Sequence, residues 1–130
     1  MSGQLTDGPK GCPPHLLHFK VGSAAIYGSG KDVDYVVLAE ACCDYINAAV
    51  DDGWALDGNY KGEEFTALRK GAVNIILTEH RWLFQAYVQA TGIMQTLSSV
   101  VPQKNKAGRV EVYELVKRFY KEAHYEQPVR

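Results

Sequence analysis

The stretch that decides the fold of this chain is Val21-Gly-Ser-Ala-Ala-Ile-Tyr-Gly-Ser-Gly-Lys-Asp-Val-Asp-Tyr-Val-Val-Leu38. It ends in a short β-branched run beside turn residues, a pattern typical of a buried strand over residues 32–38. Side chains alternate along a strand, so Asp32 and Asp34 are expected on one face, about 7 Å apart. Mg²⁺ takes oxygen ligands, commonly one or two carboxylates together with substrate phosphates. The two aspartates are therefore candidate metal ligands and candidate catalytic residues.

The turn before this strand supplies candidate phosphate ligands. Gly22 and Ser23 offer backbone N–H groups and a hydroxyl to a phosphate. Residues 23–27 are expected to form a short helical turn, whose N-terminus would add a positive pole. Lys31 lies in the flexible connection to the strand and either reaches a phosphate or remains solvated. Phosphate ligands and metal ligands are thus expected on one continuous segment.

The Gly22-Ser23 pair followed by the Asp32-Val33-Asp34 motif resembles the signature of the nucleotidyltransferase superfamily typified by DNA polymerase beta and kanamycin nucleotidyltransferase. Together with residues 65–78, the pattern also resembles small uncharacterised nucleotidyltransferase-like proteins of tailed phages, over residues 16–120. The resemblance implies that the two aspartates bind two Mg²⁺ ions and that the Gly-Ser turn holds a triphosphate.

The same resemblance places a third carboxylate on the neighbouring strand, where this chain has Asn74. An amide can coordinate a metal through its carbonyl oxygen, but it adds no charge and is a poor base, so chemistry is expected to slow by ~10²–10⁴-fold. Glu40, Glu63 or Glu64 are alternative acids for this position. Arg69, at the tip of a predicted hairpin, either contacts a phosphate or points into solvent.

Composition favours an ordinary intracellular protein. The chain has 130 residues, 46% of them hydrophobic, and a net charge of −1, which predicts one domain and argues against a large non-specific nucleic-acid footprint. Three cysteines, two of them adjacent, predict reduced thiols. We see no signal peptide and no apolar run long enough to span a bilayer. A cytoplasmic location is expected, in the host cytoplasm if the protein is phage-encoded.

Periodicity along the chain predicts an α/β fold, with a mixed sheet of four or five strands backed by helices. A flexible arm is expected over residues 1–14 and a single domain over 15–130, with a C-terminal helical part from about residue 79. Thr78 is expected to cap the helix that follows it, and residues 70–71 to join two strands in a hairpin. The predicted strands are 16–21, 32–38, 54–56, 65–69 and 72–78, and the predicted helices are 40–50, 79–98 and 109–124.

Two weaker patterns remain open. Cys12, His15 and His18 have the spacing of metal ligands, but no second cluster of ligands appears in the sequence, and two ordinary histidines at the start of a strand are the favoured explanation. Residues 104–108 are predicted to form a basic, flexible connector. The segment 104–130 carries seven basic and four acidic side chains, a net charge of +3, which could attract a polyanion or could be a solvated helix face.

Three functional hypotheses follow. The first is an Mg²⁺-dependent enzyme that transfers NMP from an NTP to a small molecule, a protein or RNA. The second is a catalytically inactive form of the fold, which binds a nucleotide or a protein and modulates a host enzyme. The third is one half of a two-component system, with the substrate-binding helices on a partner chain.

Overall fold

The computed structural model describes residues 15–57 and 64–125, and these form five strands and four helices. The predicted arm 1–14, and the alternative acid Glu63, lie outside the described residues. The strands are β1 (Leu17–Val21), β2 (Val33–Leu38), β3 (Ala55–Leu56), β4 (Thr66–Lys70) and β5 (Val73–Thr78). The helices are α1 (Gly22–Tyr27), α2 (Cys42–Asp51), α3 (Arg81–Thr96) and α4 (Lys106–Tyr125).

The five strands make one mixed sheet in the order β1-β2-β5-β4-β3. Strands β2 and β5 are parallel at its centre, and the other neighbours are antiparallel. A parallel pair needs a crossover connection, and here α2 and the strands β3 and β4 lie between β2 and β5 in the chain. The predicted α/β class, the five strands and the two C-terminal helices are confirmed.

The sheet separates two apolar clusters because alternate side chains of each strand point to opposite faces. On one face, α2 contributes Tyr45 and Ala49 to a cluster with Val37, Leu68 and Ile75. The opposite face carries a second cluster, contributed by β1, β2, β5 and α3; its buried members are Val21, Val36, Leu38, Ile76, Trp82, Leu83, Phe84 and Tyr87. Burying both faces of the central pair explains why β2 is apolar in every position after Asp34.

Helix α4 is where the predicted core is wrong. Its apolar positions Val112, Val116 and Tyr120 are only half-buried, and Ala123 is exposed. Leu115 and Phe119 are 53% and 68% exposed, and no residue of α4 is buried. The reason is that α4 packs mainly on α3 and lies one layer away from the sheet. An apolar helical stripe predicts a buried face only where a second layer covers it.

Local corrections concern turns and caps. The hairpin between β4 and β5 turns at Gly71-Ala72, one residue later than predicted, with Gly71 at a φ of 61°. Helix α3 begins at Arg81, so the residue at its N-cap is His80 and Thr78 still belongs to β5. Helix α2 leaves Val50 48% exposed, although the periodicity predicted that it packs on the sheet. Helix α4 begins at Lys106, inside the segment predicted as a connector.

None of the helices in residues 15–57 and 64–125 has both the length and the apolar composition needed to cross a membrane.

Thr78 provides a test of how the end of β5 is held. It is 1% exposed; its hydroxyl donates to the carbonyl of Glu64 at 2.7 Å and accepts from the N–H of His80 at 3.0 Å. Thr78→Val keeps the shape of the side chain but loses both bonds. We expect it to lower the free energy of unfolding by about 1–3 kcal/mol, measured by urea denaturation.

The control is Thr96→Val, the same change at an exposed position of α3, where the hydroxyl donates to the carbonyl of Gly92 one helical turn earlier. Its effect should stay within about 0.5 kcal/mol. Equal losses in the two variants would show that the paired hydrogen bonds of Thr78 do not stabilise the end of the strand.

Candidate functional site

Three polar residues lie in one row across the sheet, at the amino end of β2. The register pairs Asp34 with Asn74 on the parallel neighbour β5, and Asn74 with Arg69 on β4. Directly paired residues on adjacent strands point to the same face. The row therefore brings Asp34 next to Asn74, which is 40 positions later in the sequence, and places Arg69, 35 positions later than Asp34, beside Asn74.

Hydrogen bonds connect this row to Asp32. Asn74 donates through Nδ2 to Oδ1 of Asp34 at 2.8 Å, and its own Oδ1 accepts from Nη1 of Arg69 at 3.0 Å. The other guanidinium nitrogen of Arg69, Nη2, forms an ion pair with Oδ1 of Asp32 at 3.1 Å. Arg69 thus bridges Asp32 and Asn74, instead of standing free at a hairpin tip.

Gly22 allows the main chain to approach the carboxylate of Asp34. Its φ is 76°, a conformation that L side chains rarely adopt, and an added Cβ would lie 2.4 Å from Oδ2 of Asp34. Any larger residue would therefore be strained and would displace the carboxylate. The N–H of Gly22, which the sequence analysis offered to a phosphate, here donates to the hydroxyl of Tyr113 at 3.2 Å.

Helix α4 supplies the opposite wall and two residues that the sequence analysis missed. Arg109 donates through Nη1 to the hydroxyl of Ser23 at 2.7 Å and through Nη2 to the carbonyl of Gln103 at 3.0 Å. Tyr113 contacts the hydroxyl of Thr91 at 2.6 Å, in addition to Gly22. The available signal for Arg109 was the basic character of the segment before it, but nothing in the sequence links it to Ser23, 86 positions away.

These walls enclose a cleft of about 720 Å³. All seven predicted site residues line it: Gly22, Ser23, Lys31, Asp32, Asp34, Arg69 and Asn74. Five cationic side chains line the cleft (Lys31, Arg69, Lys106, Arg109 and Lys117), against four carboxylates (Asp32, Asp34, Asp57 and Glu114). The five charges against four leave a formal excess of one positive charge, so the cleft is suited to an anion despite its aspartates.

Burial raises the pKa of the Asp34 carboxyl above its ordinary value of 3.8. The hydrogen bond from Asn74 opposes this shift, the charge of Asp32 adds to it, and the charges of Arg69 and Arg109 also oppose it. The removal of water outweighs the favourable partners, so ionised Asp34 costs stability in the folded protein. A bound cation would remove this cost.

The oxygen donors could hold one Mg²⁺. Asp32 and Asp34 provide two carboxylates, and Mg²⁺ commonly takes its remaining ligands from phosphates and water. Within the described part of the chain, no group of three or more His, Cys, Asp or Glu side chains is placed to hold a metal ion. Glu64 does not replace the missing acid, because it pairs with Lys121 at 2.7 Å, and Glu40 follows the opposite end of β2.

The histidines near the start of β1 contact each other. Nε2 of His15 and Nδ1 of His18 are 2.9 Å apart, and burial together with the charge of His18 lowers the pKa of His15. Cys12 lies outside the described residues. The two histidines do not line the cleft of Asp32 and Asp34.

The raised pKa of Asp34 predicts a stabilising substitution. The folded protein holds the Asp34 proton more tightly than the unfolded chain, so the carboxyl costs nothing at low pH. The free energy of unfolding falls as the pH rises from about 3.8 through the raised pKa, because the carboxyl ionises less readily in the folded protein than in the unfolded chain. Asp34→Asn removes this dependence. At pH 8 we expect it to raise the melting temperature by roughly 2–6 °C, and the gain should vanish towards pH 3 in circular-dichroism melts.

Asp32→Asn is the matched control, since it removes a carboxylate two positions away that is 38% exposed and paired with Arg69. An exposed ion pair contributes little, so its loss should leave stability unchanged or lower it by less than about 1 kcal/mol. A lower melting temperature for Asp34→Asn than for Asp32→Asn at pH 8 would contradict the cost assigned to burial.

Comparisons with known proteins add one structural likeness. No protein-family model matches the chain, and no curated protein matches it. Among solved structures, the crystal structure of conserved protein GrpB from Enterococcus faecalis is similar, with 12% sequence identity, 82% of each chain covered and a TM-score of 0.49. The match is to GrpB and not to a nucleotidyltransferase, so the expected membership of the nucleotidyltransferase superfamily and of its phage relatives is wrong. The function of the site must be argued from its own geometry.

Proposed function

We propose that this protein binds the phosphate groups of a nucleoside triphosphate together with one Mg²⁺. The observation that carries the proposal is the placement of Arg69 and Arg109 on opposite walls of the cleft that contains Asp32 and Asp34. Carboxylates alone would repel a triphosphate, and arginines alone would not require a metal. Their combination fits a ligand that brings its own anionic oxygens to a cation.

The carboxylate side of the cleft is the proposed metal position. Asp32 and Asp34 would provide two ligands, and Asn74 has a carbonyl oxygen within the same row. A magnesium ion bound there supplies positive charge that stabilises phosphate oxygens and offsets the repulsion between the two carboxylates. Asn74 would hold the orientation of Asp34 through its amide N–H.

The α4 side is the proposed phosphate position. Arg109 and the Ser23 hydroxyl form one hydrogen-bonded unit at 2.7 Å, and both groups line the cleft. Guanidinium groups bind phosphates through two parallel N–H donors, and a phosphate could replace Gln103 as the acceptor for Nη2. Lys31 and Lys106 line the same cleft and would add longer-range attraction.

An apolar and aromatic part of the lining is suited to a nucleoside. Phe65, Ile76, Tyr87 and Tyr113 contribute to the same cleft, and aromatic side chains bind bases by stacking. The volume of about 720 Å³ is within the range of ~300–1,000 Å³ found for small-molecule sites. Space, apolar surface and charge therefore agree with a nucleotide better than with a bare inorganic anion.

The support for rapid NMP transfer is weaker than the support for binding. Transfer of NMP needs a base for the attacking hydroxyl and charge close to the reacting phosphate. Asn74 occupies the position where a third carboxylate was expected, and its amide is already engaged with Asp34 and Arg69. We therefore propose binding as the main function, with any transfer to an acceptor slow.

Binding of a protein is the second candidate. Its support is the exposed apolar pair Leu115 and Phe119, which lies on the outer side of α4. It predicts an interaction that is independent of both nucleotide and metal.

Calorimetric titration of ATP tests the proposed function. Wild-type protein should bind ATP more tightly with Mg²⁺ than without it, and Asp32→Asn should lose this difference. Arg109→Gln should weaken binding by at least about tenfold, because hydrogen bonds to charged groups contribute about 1.5–3 kcal/mol. Titrations with GTP, CTP and UTP would establish the base preference.

Arg118→Gln is the matched control. It removes the same charge from the same helix, at an exposed position that does not line the cleft. Its affinity for ATP should remain within about twofold of wild type, the change that screened charges at a distance allow. Absence of ATP binding to the wild type with Mg²⁺, or equal losses in the two arginine variants, would contradict the proposal.

A further inference from the structure

The guanidinium of Arg69 contacts oxygens that a metal ion bound to the two aspartates would use as ligands. Its Nη2 atom is 3.1 Å from Oδ1 of Asp32, and its Nη1 atom is 3.0 Å from Oδ1 of Asn74. Oδ1 of Asp34 accepts from the Asn74 amide. Each of the three residues that could offer oxygens to a cation therefore has an oxygen occupied by an N–H donor.

A free divalent cation that binds through these oxygens must break the contacts they make. Coordination through the occupied oxygens requires Arg69 to leave Asp32, and the guanidinium would then remain as a positive charge next to the cation. The departing side chain also gives up two charge-assisted or polar hydrogen bonds. Both effects lower the affinity of the site for a cation that arrives alone.

A cation that is already bound to phosphates does not lose affinity in this way. The phosphate oxygens offer Arg69 a new acceptor, so the guanidinium exchanges one anionic partner for another. Arg69 is exposed enough to move, since 44% of its side chain is accessible to solvent. Arg109, whose contacts are with Ser23 and Gln103, makes no hydrogen bond to the aspartates in the described residues and does not compete in this way.

We propose that Arg69 makes the site specific for a divalent cation complexed with a phosphate ester and excludes the free cation. This inference deepens the proposed function, on which it rests, by naming the form of the ligand that the site accepts. In the free protein the Arg69 guanidinium takes the place of the cation beside Asp32, and in the complex it binds the phosphate.

Titration with Mn²⁺ alone, followed by the paramagnetic resonance signal of free Mn²⁺, tests the exclusion without any nucleotide or activity. Arg69→Met should raise the affinity for free Mn²⁺ by at least about tenfold, within the range typical of coupled sites. The matched variant Arg109→Met removes a positive charge from the same cleft without touching Asp32 or Asn74. It should raise the affinity by less than about threefold, since it changes only the general field.

Equal gains in the two variants, or no gain in Arg69→Met with its circular-dichroism spectrum intact, would overturn the inference. Titration of ATP with Mg²⁺ separates it from the proposed function. If the wild type binds ATP with Mg²⁺ but Arg69→Met gains no affinity for Mn²⁺, only the inference fails. If Arg69→Met gains affinity for Mn²⁺ but the wild type binds no ATP, free-cation exclusion stands, while the named ligand and the proposed function fail.

Discussion

The parallel pairing of β2 with β5 is the constraint on which the site depends. It places Asp34 directly opposite Asn74, and the antiparallel β4 then places Arg69 opposite Asn74. A shift of one residue in either pairing would move a side chain of this row to the other face of the sheet. The apolar residues that follow on both central strands prevent such a shift, because each must stay in its own cluster. The core therefore fixes the geometry of the polar site.

Strand and turn chemistry made most of the sheet predictable. The β-branched runs identified β2 and β5, and alternation correctly divided Val73, Ile75 and Leu77 from Asn74 and Ile76. The outer helix was not predictable in the same way. Periodicity shows that a helix has an apolar face, but it does not show whether another layer covers that face. Leu115 and Phe119 follow the period of a buried stripe and remain exposed because α4 is the outermost element.

The sequence predicts the part of the candidate site that lies on one segment, but it does not predict the contacts between residues that are distant in the chain. Gly22, Ser23, Asp32 and Asp34 lie on one segment, so their spacing was sufficient to bring them together. The contact between Arg109 and Ser23 depends on how α4 crosses α1 and α3, which is a property of packing. The sequence does not decide between a phosphate contact and solvent for Arg69, because the pairing of β2 with β5 is needed to bring Arg69 to Asp32. The family assignment failed for a related reason, since a short motif specifies a local geometry that different proteins can share.

Asp34 is the residue of the cleft whose position costs the folded protein stability. An isolated protein gains nothing from a carboxylate whose pKa is raised by burial, and an asparagine could keep the hydrogen bond with Asn74 without the cost of a buried charge. The same residue requires a glycine of positive φ beside it, since any Cβ at position 22 would meet its carboxylate. A costly buried carboxylate and the glycine that makes room for it thus lie together, within a cleft lined by five cationic side chains. Such local conflicts are expected where a site is built for binding, because the bound ligand offsets the cost that the free protein bears.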